Sequence, residues 1–436
     1  MSLRRALSTS DAAWMVVGNM VGAGIFVTPG LVALHLPGAG WILVAWALGG
    51  LLALAGAAVY GELGARLPHA GGDYRFLFAA FGPLPAFLSG WAAFLLSFSA
   101  AAAAMALSVV DQMTRVVPAL EALGPWGGRL LGAGLILMLT ATNAAGSRLA
   151  GKTTILLTAL PLLGLAGLFA VGWMTGSEPV QGPGAWWTPP AGAWLPALGA
   201  ALVPIYFTYS GWNAAAYVAG EIRDPGRSLP RGLLLGTAAV IGLYVMVNLI
   251  LVLAHAPGEL AGSTTAMGDT ARRLLGPGAG RMLSAVVALA ILGSANVTLM
   301  AGARIYYAMA GDRLAPEPLA RVNGAGVPGV ALWASGIWTA ILVLSGRFDM
   351  LVGWATLAIL LLSSLTVAGL FALRRQDGAM PAYRCPGYPW TPLLYMAASL
   401  GVAVSSAFYD PPAALTGVAI VAAGVPAFYL LRRRGL

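Results

Sequence analysis

Apolar runs close to the length of a bilayer crossing recur from one end of this chain to the other, and they fix its solvent before anything else is read. A helix rises 1.5 Å per residue, so about 20 residues cross the hydrocarbon layer. Twelve such runs can be marked, at 12–34, 41–65, 84–110, 130–146, 148–174, 194–219, 230–255, 282–310, 329–346, 350–375, 388–408 and 412–431. Their spread excludes a soluble domain with one anchor. Composition agrees: 59% of the 436 residues are apolar and 9% are charged, too few polar side chains to cover a water-facing surface. The expected fold is an all-α membrane protein, a single polytopic domain over 1–436. The first run is too long for a signal-peptide core and no cleavage site follows it, so it is expected to stay in the mature chain.

The positive charges follow the helix ends. With the N-terminus taken as cytoplasmic, 18 of the 24 Lys and Arg residues fall on the cytoplasmic side. The other six are Arg115, Arg129, Arg272, Arg273, Arg281 and Arg347. This asymmetry predicts both termini in the cytoplasm; the expected location is a plasma membrane, of bacterial inner-membrane type. Arg272, Arg273 and Arg281 sit in the long segment 256–281, read as a short re-entrant or surface helix. The net charge of +9 is then topology and not a phosphate-binding face, so no nucleic-acid partner is expected. Cys385 is the sole cysteine, read as a small residue in a loop, and no grouping suggests a metal or a cofactor.

The informative breaks lie inside helices. Gly22-Ala23-Gly24 puts two glycines at bilayer depth in the first run, with Pro29 and Gly30 close behind. In the sixth run Pro204 precedes Tyr206-Phe207-Thr208-Tyr209-Ser210-Gly211-Trp212-Asn213. Gly24 and Gly211 occupy corresponding places if 12–174 and 194–375 are two five-helix repeats, with 388–431 outside them. An odd number of spans inverts the second copy. Matched breaks point to a transporter's substrate site, because unwinding frees backbone groups at mid-membrane. An amino acid suits them: its carboxylate accepts from amides at a half-helix N-terminus and its ammonium donates to carbonyls at a half-helix C-terminus. The alternative use of these glycines is close helix packing.

Four stretches then appear in order: GAGIF at 22–26, YGELGARLPHAGGDYRFL at 60–77, YSGWNAAAYVAGEIRDPGRSLPRG at 209–232 and RIYYAMAGDRLAP at 304–316. They resemble the amino acid, polyamine and organocation permeases, and among these the bacterial homologues of L-type amino-acid transporters, whose broken sixth helix also reads close to YSGWN. The resemblance covers nearly the whole chain. It implies a LeuT-like five-plus-five inverted repeat with discontinuous helices 1 and 6 and sodium-independent secondary transport of amino acids. It also implies that the amides of Gly22, Ala23 and Gly24 hold the carboxylate. The family often has serine where this chain has Ala23, so a backbone contact survives and a hydroxyl contact does not. Carbonyls of Met20, Phe207 and Ser210 match the ammonium site, Phe207 matches an aromatic gate, and Asn213 matches a polar pocket residue.

Lys152 is the only lysine in a chain that otherwise uses arginine. An ammonium can lose its proton when buried and a guanidinium cannot, which invites a chemical role. The alternative is a snorkelling anchor. The resemblance implies that its ammonium replaces a sodium ion, bridging helix 1 to Ser294 in helix 8, and that Tyr244 works with it. Tyr244 can equally be a packed helix residue.

The other polar residues form no enzyme constellation. His35, His69 and His255 lie near helix ends, and Glu62 with Arg66 reads as an i,i+4 ion pair in preference to a proton carrier. Glu221, Arg223 and Asp224 read as a solvated cytoplasmic loop. Small residues at Ala100–Ala104 are expected to wall the pocket. Since neither broken segment carries an acid, neutral amino acids are the favoured substrate over dibasic amino acids or polyamines. A membrane-embedded sensor or scaffold that binds without transporting is the competing class. The partners expected are an amino acid and lipid; segment 111–129 has no cysteine, so no disulfide-linked accessory subunit is expected.

Overall fold

The computed structural model describes residues 3–174, 186–190, 193–263, 265–276, 278–345, 348–376, 380–409 and 411–433. Arg347 and Arg434, counted among the loop charges, lie outside them. Among the described residues the protein is helical throughout, with one isolated parallel bridge between Leu7 and Ile222.

The chain opens with α1 (Thr9–Met20) and α2 (Gly24–Ala33), two halves of one bent span. α1 starts at a capping box: the Asp11 amide donates to the Ser8 hydroxyl at 3.2 Å and the Ser8 amide donates to the Asp11 carboxylate at 2.7 Å. α3 (Ala39–Arg66) returns across the membrane, followed by the short α4 (Asp73–Phe81). α5 (Pro83–Ala92) runs through a π-turn at Ala93–Ser97 into α6 (Phe98–Val116). α7 (Gly124–Ala144) and α8 (Ser147–Met174) complete the first half. The second half begins with α9 (Trp194–Thr208) and the single turn α10 (Ala214–Tyr217), then α11 (Pro225–Ala254). Two short helices, α12 (Pro257–Leu260) and α13 (Ala266–Leu275), occupy the segment expected to be a surface or re-entrant helix. α14 (Ala279–Gly311), α15 (Gly329–Ser345), α16 (Phe348–Gln376), α17 (Trp390–Tyr409) and α18 (Pro411–Arg433) follow.

Nine helices among the described residues are long and apolar enough to cross a membrane, ten with the bent α1–α2 pair. Two shorter apolar helices, α9 and α15, fall at the expected sixth and ninth runs. Leu163 is 69% exposed and Phe408 is 83% exposed, an outward apolar surface that suits lipid and not water.

Several helix pairs five spans apart pack together: α3 along α11, α6 along α14, α7 along α15 and α2 along α9. Small residues permit this closeness. A Cβ on Gly236 of α11 lies 2.8 Å from the Ala13 carbonyl oxygen, so α1 and α11 meet backbone to backbone.

Candidate functional site

α1 ends at Met20, where Val21 turns extended (φ −77°, ψ 91°), and α2 leaves at 52° from Gly24. The N–H groups of Gly22, Ala23 and Gly24 make no hydrogen bond among the described residues. They stand at the positive end of the α2 dipole. The second break follows Thr208. Pro204 lacks an N–H, the Thr208 hydroxyl donates back to its carbonyl at 2.9 Å, and Gly211 takes φ +101°, a left-handed conformation that favours glycine.

Four side chains hold the breaks together. The Tyr244 hydroxyl lies 2.6 Å from the Met20 carbonyl and 3.3 Å from that of Thr208. The Thr28 and Thr208 hydroxyls meet at 2.6 Å, and since Thr208 gives its proton to Pro204, Thr28 is the donor. Asn19 joins α1 to both the α9–α10 break and α14. Its amide donates to the Gly211 carbonyl at 3.3 Å, its backbone carbonyl accepts from Ser294 at 2.9 Å, and its side-chain oxygen lies 3.0 Å from the Thr298 hydroxyl, whose one proton is shared with the Ser294 carbonyl at 2.8 Å.

A cavity of about 130 Å³ opens beside the breaks, lined by Asn19, Ser210, Gly211, Asn213, Thr298 and Asp73 among others. A cavity needs roughly 10–15 Å³ on this measure to hold one water, so this one takes a small organic molecule. Ala101, within the expected Ala100–Ala104 wall, also lines it. Ser210 and Asn213 are the expected site residues that reach the cavity. The Ser210 carbonyl accepts no hydrogen bond among the described residues, whereas the Phe207 carbonyl takes the Ser210 amide at 3.0 Å. The Phe207 side chain packs with Leu360, Val402 and Ala403.

Lys152 does not take the expected position, and its role as a bridge to Ser294 is corrected. It lies on the face of α8 opposite Ala150 and Thr154, the residues that meet Asn296 of α14 at 3.5 and 3.0 Å, and so points away from the breaks. Its side chain is exposed and lines a surface depression with Arg4 and Arg148. The bridge between α1 and α14 is Asn19, and the Ser294 hydroxyl is spent on it. Asn19 was legible as a polar residue inside an apolar run.

Glu221 is also corrected: it is fully buried and not solvated. Arg304 of α14 binds it bidentately, Nε to Oε1 at 2.7 Å and Nη2 to Oε2 at 3.1 Å, and Ser147 donates to the same carboxylate. An arginine inside the eighth apolar run was the signal, since it needs a counter-charge at that depth. Glu62 does pair with Arg66 at 3.0 Å, and also accepts from Arg374 at 2.9 Å and the Cys385 amide at 2.7 Å.

Asp73 is a further acid at the site. It begins α4, outside both broken segments, yet reaches the cavity. Tyr217 donates to it at 2.7 Å, and the Asn213 amide donates to Tyr217 at 3.1 Å. Burial pushes its carboxyl up to about 6, against the hydroxyls of Tyr217 and Tyr60.

Known proteins share this layout in sequence. The family model described as amino acid permease matches residues 7–430. The large neutral amino acids transporter small subunit 2 of Mus musculus is 30% identical over 441 residues, 98% of this chain and 81% of that protein. The Asc-type amino acid transporter 1 of Mus musculus is 28% identical over 439 residues, 98% and 81% of the two chains. The serine/threonine exchanger SteT of Bacillus subtilis is 27% identical over 440 residues, 99% and 98% of the two. The family match covers both breaks and the residues that line the cavity, so the chain belongs to the amino acid permease family and is a multi-pass membrane transporter, not an enzyme.

Proposed function

We propose that this permease exchanges small and medium neutral L-amino acids across a bacterial inner membrane, without sodium and by alternating access. The observation that carries the reading is the pairing of free groups at the two breaks. Unbonded amides of Gly22, Ala23 and Gly24 suit a carboxylate, and the unbonded Ser210 carbonyl suits an ammonium. Two of the similar proteins are named for neutral amino acids, one as a serine/threonine exchanger and one as a large neutral amino acids transporter. Sodium independence is supported at the α1–α14 junction, where the oxygens of Asn19 already accept from Ser294 and Thr298. The packing of helices five spans apart supports two inverted repeats, 12–174 and 194–375, that rock against each other. Both termini are assigned to the cytoplasm by the loop charges. The chain is assigned no disulfide-linked subunit, since its one cysteine, Cys385, is buried.

The test is competition for the purified protein's binding of a labelled neutral amino acid. The intact zwitterion should compete, while its decarboxylated amine and its deaminated hydroxy acid should each compete at least about tenfold less well, having lost a charge-assisted contact. Equal competition by the amine refutes the carboxylate site, and tight binding of diamines supports the polyamine reading.

A further inference from the structure

We propose that Asp73, acting through Tyr217, sets which end of the Asn213 amide faces the cavity, so that a proton on Asp73 weakens binding of the substrate ammonium. The proposal rests on the cavity being the amino-acid site, and it makes Asp73 a positioning residue that acts on the ammonium through Tyr217 and Asn213.

The argument is a count of protons along Asn213, Tyr217 and Asp73. An ionised carboxylate only accepts, so Tyr217 must spend its single hydroxyl proton on Asp73, as the 2.7 Å contact shows. Tyr217 then has only lone pairs for its other neighbour. Asn213 must meet it with the NH₂ end, at 3.1 Å, and its carbonyl oxygen turns to the cavity that Asn213 lines. A proton on Oδ2 of Asp73, the oxygen that faces Tyr217, reverses the order. This O–H donates to the Tyr217 oxygen, the tyrosine proton swings to Asn213, and the amide flips to accept it. The NH₂ end now points into the cavity, beside the Ser210 carbonyl assigned to the ammonium. A donor facing an ammonium repels it; a carbonyl oxygen binds it.

Among the described residues no cation pairs with Asp73. Arg75 is committed to Asp312 at 2.7 Å, Arg304 to Glu221 and Arg374 to Glu62. α5 carries no ionisable group, and Arg375 of α16 is exposed. The phenols around it, Tyr60 of α3, Tyr306 of α14 and Tyr395 of α17, stay neutral at ordinary pH. His69 lies in the loop before α4, where burial and then the charges of Arg75 and Arg5 favour its neutral form. The carboxyl is raised to about 6, so the ionised arrangement holds above that pH and gives way below it.

The test is equilibrium binding of labelled L-alanine, L-serine and L-leucine to the purified full chain between pH 5.0 and 7.5. For wild type the Kd should rise about fivefold on acidification, the worth of one hydrogen bond, with its midpoint near 6. Asp73→Asn removes the titration and Tyr217→Phe removes the relay while leaving Asp73 in place, so both should change less than twofold over the range. The phenylalanine variant separates this from a folding defect at position 73. A flat wild-type profile, or a Tyr217→Phe protein that keeps the wild-type profile, overturns the proposal alone. No binding of any of the three at pH 7.5 removes the substrate reading and the proposal with it.

Discussion

The hydroxyl of Tyr244, on α11, donates to the carbonyl of Met20 at 2.6 Å, the last residue of the first half-helix. The same hydroxyl lies 3.3 Å from the Thr208 carbonyl, where α9 stops. One phenol therefore spans both ends left open by the two breaks, and the Met20 carbonyl is not free for substrate alone.

Tyr244→Phe keeps the ring, which packs edge-on against Trp46 at 5.6 Å, and removes only the hydroxyl. It leaves a buried carbonyl without its donor, a cost of about 1–3 kcal/mol. Thermal unfolding should shift down by that amount, and substrate Kd should weaken with it. Unchanged stability and affinity would show that the breaks do not depend on this bridge.

Gly211 and Gly24 admit no side chain. At Gly211 a Cβ lies 2.9 Å from the Asn19 carbonyl oxygen, on a residue already at φ +101°. At Gly24 it lies 2.9 Å from the Thr208 hydroxyl and 3.2 Å from the Thr208 Cα. Left-handed strain alone costs Gly211→Ala about 1–2 kcal/mol, and the backbone clash adds to it. Gly211→Ala and Gly24→Val should insert normally and lose transport, read as uptake per molecule of protein in the membrane fraction. Wild-type uptake by either contradicts the geometry of the breaks.

Asn19, not Lys152, is the residue on which the α1–α14 junction depends. Asn19→Ala removes the bonds to Gly211 and Thr298 and should cut transport at least about tenfold, two hydrogen bonds' worth. Lys152→Ala, at an exposed position, should transport within about twofold of wild type, as surface changes away from special features are usually small. Uptake at several sodium concentrations for both variants checks this. A dead Lys152→Ala protein with an active Asn19→Ala protein would reverse the assignment.

The buried Glu221–Arg304 pair joins the segment after α10 to α14. Glu221→Gln leaves an uncompensated buried guanidinium and should destabilise the protein by about 3–5 kcal/mol, seen as a lower thermal midpoint in detergent. A midpoint unchanged from wild type would mean that Arg304 finds another acceptor.

Much of this is readable in the sequence alone. The apolar runs, the breaks at Gly22-Ala23-Gly24 and Gly211, and the Glu62–Arg66 pair all follow from local chemistry, because periodicity, glycine and i,i+4 spacing act within a few residues. Contacts between distant segments were not readable in the same way. Nothing local places Asp73 under Asn213 or Glu221 against Arg304, since both meetings depend on how α4, α10 and α14 pack. Lys152 misled because rarity is a compositional signal and says nothing of depth. Its place on the exposed face of α8, opposite Ala150 and Thr154, decided the matter.

The central claim is exchange of neutral amino acids without sodium, and its most direct measurement is flux in proteoliposomes. Purified protein is reconstituted with or without unlabelled amino acid inside, and uptake of labelled L-alanine, L-serine and L-leucine is followed in sodium and in choline buffers. The account predicts rapid uptake of at least one of these only into preloaded vesicles, at the same rate in both buffers. Uptake that requires sodium, or the absence of uptake of any neutral amino acid into preloaded vesicles, would contradict it.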